Sequence, residues 1–160
     1  MAATRYQTAH WQQIKDRSLR TLQPGFDRYL RRLARPSQIA YSQVMQRYEG
    51  DPSWVEHRSK ARDAWAFVLP DVSAGKGWRI QYFDLDSFTS HACFTTLEDA
   101  VEAMIREGYV VEDKGALDRL SQTARWQRGV VVNDLIRRVN MGEISWTDAN
   151  REFAELPKIG

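Results

Sequence analysis

Four arginines at helical spacing are the chain's most distinct chemical feature. Arg28, Arg31, Arg32 and Arg35 fall at i, i+3, i+4 and i+7 in FDRYLRRLAR, so on a helix their guanidinium groups leave from one face. Like charges so placed repel by roughly 0.2–0.5 kcal/mol per pair, while Phe26, Leu30 and Leu33 can anchor the other side. Guanidinium forks match phosphate and carboxylate. The stripe therefore points to nucleic acid, or to an acidic protein or nucleoprotein surface. The plain alternative is a solvated helix face, or arginines paired with acidic groups elsewhere in the chain.

Other reactive residue types are present at weaker spacing. His91 and Cys93 lie two apart with Ser90 between them. On a strand their side chains run parallel and rarely meet, and catalytic Cys/His pairs usually come from separate elements. Asp84 and Asp86 form a D-x-D at an expected hairpin tip, where two carboxylates can hold a hard cation only with further ligands. SAGKG, residues 73–77, lacks the Ser or Thr after lysine and the following helix that a phosphate loop needs, so it reads as a turn. His10 and His57 fall in stretches that read as helical, with no partner at metal-ligand spacing. Trp residues can stack on bases, as in single-strand binders; Trp65 and Trp78 read as core, and Trp11 and Trp54 remain open to that role.

These residues must be held by a fold, and the stretch from Asp63 to Tyr109 supplies its centre. Alternation predicts a three-stranded antiparallel meander over about 64–94. Trp65, Phe67 and Leu69, then Trp78, Ile80 and Tyr82, then Phe88, Ala92 and Phe94 are expected to form one apolar face. The opposite face is expected to be wet or only partly covered. Leu97, Ala100, Val101, Met104 and Ile105 make a helical stripe with a cap at Thr96/Asp99 or Thr95/Glu98 and a Gly108 stop. Burying its four large members stabilises by about 6–12 kcal/mol gross, so the stripe must pack, and the sheet is the available partner.

Around this centre the pattern is helical. Residues 3–22, 26–35 and 37–48 read as three helices broken at Pro24-Gly25 and at Pro36, and Asp51-Pro52 reads as the start of a short fourth. A short extended VV precedes a long helix over 116–140 that Gly129 is expected to bend or split. A last helix is capped by Ser145 with Asp148 at N3. Residues 130–156 have a helix-turn-helix outline, yet the second helix carries Asp148, Glu152 and Glu155 against Arg151. Phosphate would repel it, so an αα-hairpin is expected. The fold class is α+β: N-terminal helices, the meander, and C-terminal helices packed on it. Residues 1–62 form a basic helical region and 63–160 the α+β core, within one compact domain.

Charge supports that division. Residues 1–70 hold 12 Lys/Arg against 6 Asp/Glu, a balance of +6; residues 71–160 hold 11 against 15, a balance of −4; together they give the net +2. One cysteine excludes an internal disulfide framework and a multi-cysteine zinc site. The longest apolar run, Ala64 to Leu69, is too short to span a membrane. MAATRYQTAHW has no apolar signal-like region, so a cytoplasmic protein is expected. The first functional expectation is a non-catalytic module binding nucleic acid or nucleoprotein through the arginine stripe, with no cofactor, metal or membrane partner. The second is a protein–protein adaptor or small inhibitor, such as a mobile element could encode, acting on nucleic-acid machinery. The third is an enzyme using His91 and Cys93, or Asp84 and Asp86.

Overall fold

The run AWAFVL, apolar at every position, becomes a central strand covered on both faces. The computed structural model describes residues 26–73 and 77–156, together with 12, 13 and 16. In it β2 (Ala64–Pro70) lies between β1 (His57–Ser59) and β3 (Trp78–Asp84), and β4 (Phe88–Phe94) and β5 (Tyr109–Glu112) form the edges. The order is β4-β3-β2-β1-β5, antiparallel throughout. The helices are α1 (Phe26–Arg47), α2 (Leu97–Arg106), α3 (Ala116–Ser121), α4 (Ala124–Asn140) and α5 (Trp146–Glu155). The class is α+β, and the expected meander is the β2–β4 part of this larger sheet. His57, expected in a helix, is instead the first residue of β1.

The apolar faces are partitioned differently from the expectation. Alternation tells which residues of one strand share a face; it does not tell which face joins which across strands. The β2–β3 register sets Ala66 against Tyr82 and Val68 against Ile80, so Trp65, Phe67 and Leu69 stand with Phe83, Gln81 and Arg79 on the other side. Small residues thus lie under α1 and α2, in a core of Tyr41, Met45, Ala66, Val68, Ile80 and the α2 stripe. The bulky residues form a second core with Ala116 of α3 and Trp126 of α4. A register shift between Tyr82 and Phe83 moves Phe88 to that second face, while Ala92 and Phe94 stay on the first.

Local signals account for α2. Thr96 accepts from the Asp99 N–H at 3.2 Å and donates to its carboxylate at 2.9 Å, and Gly108 takes a left-handed φ of 97° just past the helix. Three helical expectations are corrected. Pro36 lies inside α1 rather than ending a helix; it stands on an exposed flank, where water can take the carbonyl that its missing N–H leaves open. Asp51-Pro52 starts no helix: the Asp51 carboxylate accepts from the Ser53 N–H at 3.0 Å and closes an Asx turn. The 116–140 stretch divides at Thr123, whose hydroxyl caps α4 through the Trp126 N–H at 3.1 Å, and α4 runs on through Gly129. There the glycine serves a close approach: a Cβ would overlap the Asp86 carbonyl oxygen and lie 2.7 Å from its carbon. Gln12, Gln13 and Asp16 are helical; the rest of the 3–22 expectation, the Pro24-Gly25 break and positions 74–76 of the SAGKG turn lie outside the described residues.

Candidate nucleic-acid interface

Helix α1 has two halves with different surroundings. Its C-terminal half enters the first core through Ala40, Tyr41, Val44 and Met45. Among the described residues none before Ala40 belongs to either core, and Tyr29, Leu33 and Ile39 are exposed. The arginine stripe lies on this outer half. Arg28, Arg32 and Arg35 are exposed, and among the described residues no carboxylate forms an ion pair with them; the Arg31 side chain is outside the description. Elsewhere Arg47, Arg58, Arg119, Arg125, Arg137, Arg138 and Arg151 each hold a carboxylate. From Arg28 to Arg35 the helix rises about 10 Å, roughly three phosphate steps along one duplex strand.

The remaining candidates have structural partners. Asp86 grips Arg125 with both oxygens, at 2.7 and 2.8 Å, and the arginine holds its carboxyl below the usual range. Asp84 accepts from the Asp86 and Ser87 N–H groups and closes the β3–β4 turn. Both carboxylates thus serve the hairpin. His91 and Cys93 are exposed on β4, opposite Gln81 and Arg79. A hydrogen bond with Asp71 pushes the Cys93 thiol up, the reverse of what activates a nucleophile. Among the described residues no group of three or more His, Cys, Asp or Glu is placed to hold a metal.

Two arrangements were not visible in the sequence. His57 is buried, with Nδ1 3.0 Å from the Val55 carbonyl, and burial lowers its pKa. Nearby, the Tyr48 hydroxyl and then the Arg47 guanidinium hold the Glu112 carboxyl at about 2. A cleft of about 540 Å³ is walled by Arg62, Tyr82, Glu107 and Tyr109. Arg62 donates to the Tyr109 hydroxyl at 2.8 Å, and Tyr82 donates to Glu107 at 2.7 Å; burial first, and then that carboxylate, raise the Tyr82 pKa. These bonds join the β1–β2 turn and α2 to β3 and β5. Their partners lie 47 and 25 residues apart, beyond any local pattern.

The acidic helix α5 folds back on α4 through an Arg138–Glu152 ion pair at 3.1 Å and Arg128 over the Phe153 ring, as the αα-hairpin expectation requires. Among the described residues no helix is long and apolar enough to cross a membrane. No family model, curated protein or solved structure matches the chain.

Proposed function

We propose that this protein is a non-catalytic binding module that engages nucleic acid, or a nucleoprotein, through the arginine face of α1, in a cytoplasmic setting. The observation that supports this most is the contrast in arginine pairing. Among the described residues, seven arginines hold carboxylates on the body of the fold, where Arg62, Arg79 and Arg106 do not, and Arg28, Arg32 and Arg35 stand exposed together, without an ion pair, on a half-helix that leaves the core. Arginines kept only for stability would sit where carboxylates are. Cations held at helical spacing away from them suit phosphate.

The test is binding of labelled single-stranded and duplex oligonucleotides across a salt series, beside a variant with all four stripe arginines changed to Ser. If four phosphates of a duplex are contacted, log K falls with log salt at a slope of up to about −3.6, and the variant flattens it. No binding at low salt by a folded wild-type protein would remove the reading. A second reading, a protein–protein adaptor or small inhibitor acting on nucleic-acid machinery, is favoured by the exposed Met141 and Trp146 at the α4–α5 end. It requires a stoichiometric complex that survives nuclease.

A further inference from the structure

We propose that the sheet's second face at β3 and β4, beside Trp54, is a stacking platform for single-stranded nucleic acid, with Trp54 as the base-stacking ring and Arg79 as the cation beside it. The partner class rests on the reading above. The surface does not: α1 packs on the opposite face of the sheet.

Trp54 is 61% exposed although it is among the largest apolar side chains of the fold. Its ring lies on Phe67, centroids 6.0 Å apart and planes 27° from parallel, so one π-face is backed and the other is open to a flat ligand. The backbone beneath has φ +66°, a left-handed value rare for a bulky L-residue. It is held by the Trp54 N–H donating to the Val68 carbonyl at 2.8 Å and by the Asx turn at Asp51. A chain satisfying only packing would place glycine there, or turn the indole inward. Spending an unfavourable conformation on an exposed ring suits a ring that works on something else.

The neighbouring positions complete a platform. Across β2, β3 and β4 the register places Phe67, Gln81 and His91 in one row, and Leu69, Arg79 and Cys93 in the next, all on the Trp54 side. Arg79 is half-buried on this face, and its Nε, shielded from solvent, has no hydrogen-bond partner, so the fold does not fix the guanidinium through that donor. Asp71, the carboxylate beside Cys93, is buried and accepts from the Ser73 N–H and hydroxyl, which hold it below the surface. An exposed ring and a guanidinium beside it on a sheet face fit unstacked bases with their backbone, and a closed duplex presents no free base face.

The experiment titrates the full chain with a short deoxythymidine oligonucleotide and, separately, with a duplex. It compares wild type with Trp54→Gly, Arg79→Gln and the four-arginine Ser variant. Glycine relieves the left-handed backbone and so offsets part of the lost contact with Phe67; near-ultraviolet circular dichroism and the thermal midpoint check that Trp54→Gly stays folded. The expected result is a single-strand affinity lowered roughly 5- to 150-fold by Trp54→Gly, with duplex affinity within about two-fold of wild type. Arg79→Gln should weaken the single strand in the same direction. Unchanged single-strand affinity in Trp54→Gly overturns the platform and leaves the indole as a protein contact. An equal loss for single strand and duplex overturns it too, because stacking would discriminate. Failure of the arginine reading looks different: the four-arginine variant then binds like wild type.

Discussion

Replacing Gly129 by alanine should destabilise the protein, although an alanine in a helix interior ordinarily stabilises it by about 1 kcal/mol over glycine. Gly129 is where α4 lies against the β3–β4 turn. A Cβ there would sit 2.7 Å from the Asp86 carbonyl carbon, against a favourable carbon–carbon separation of about 3.5–4.0 Å. The helix must retreat by about 1 Å. Retreat stretches the Asn133 amide bonds to the Ser87 hydroxyl at 2.6 Å and the Phe88 carbonyl at 3.1 Å, and the Arg125 grip on Asp86. It also withdraws Trp126 from Phe83 and Phe88, whose ring centroids lie 6.0 and 5.4 Å away. Overpacking of this kind costs about 1–3 kcal/mol. The Arg125–Asp86 pair is half exposed and adds less than about 1 kcal/mol. After the propensity gain a net loss of up to about 3 kcal/mol remains, which lowers the thermal midpoint by up to about 6–12 °C for a chain of this size. Urea unfolding followed by tryptophan fluorescence reads the same quantity. A stabilised Gly129→Ala would refute the close approach and return Gly129 to the role of a bend in an open helix.

Protonation of His57 should cost stability on the acid side. Burial lowers its folded pKa, so the unfolded chain takes up the proton first, near the ordinary 6.5; the stabilisation is complete above that pH and is lost as pH falls through and below it. Urea midpoints measured from pH 7.5 to 5 should fall, and a His57→Gln variant should flatten that decline; an unchanged decline would assign it to other groups. Cys93 should alkylate more slowly than free cysteine at neutral pH, because Asp71 raises its thiol, and Asp71→Asn should speed the reaction. A fast wild-type thiol would count against the contact. Pro36→Ala should restore one backbone hydrogen bond within α1 and stabilise its outer half by up to about 3 kcal/mol, read as slower amide exchange before Ala40. Unchanged exchange would argue that the two halves do not form one helix.

What the chain discloses from sequence follows the range of the interactions involved. Helix α2 is legible because its cap, stripe and stop all act within one or two turns: Thr96 on Asp99, Leu97 to Ile105 along one side, Gly108 beyond. The strands are legible as strands, yet joining their faces by residue size fails at β2. The run AWAFVL carries the corrective signal: a strand buried on both sides has no reason to alternate, and all of Ala64 to Leu69 are buried. Small Ala64, Ala66 and Val68 face the α1 and α2 side, where Tyr41, Met45 and Met104 supply the bulk, and Trp65 and Phe67 face α3 and α4. β1 has three residues, too few for a period, and exists because β2 and β5 pair with it from either side. The arginine spacing is visible in the sequence, but its meaning turns on where the carboxylates go, which is long-range information. Arg138 finds Glu152 and Arg47 finds Glu112, while among the described residues no carboxylate pairs with Arg28, Arg32 or Arg35. Trp54 completes the argument. Asp51-Pro52 has the residues of a helix start, and the same Asp51 carboxylate, bonded to Ser53, turns the chain so that an indole stands on the sheet instead of in a core. Two residue types suited to nucleic acid, arginine and tryptophan, are both set outside the packed interior by features that packing alone does not require.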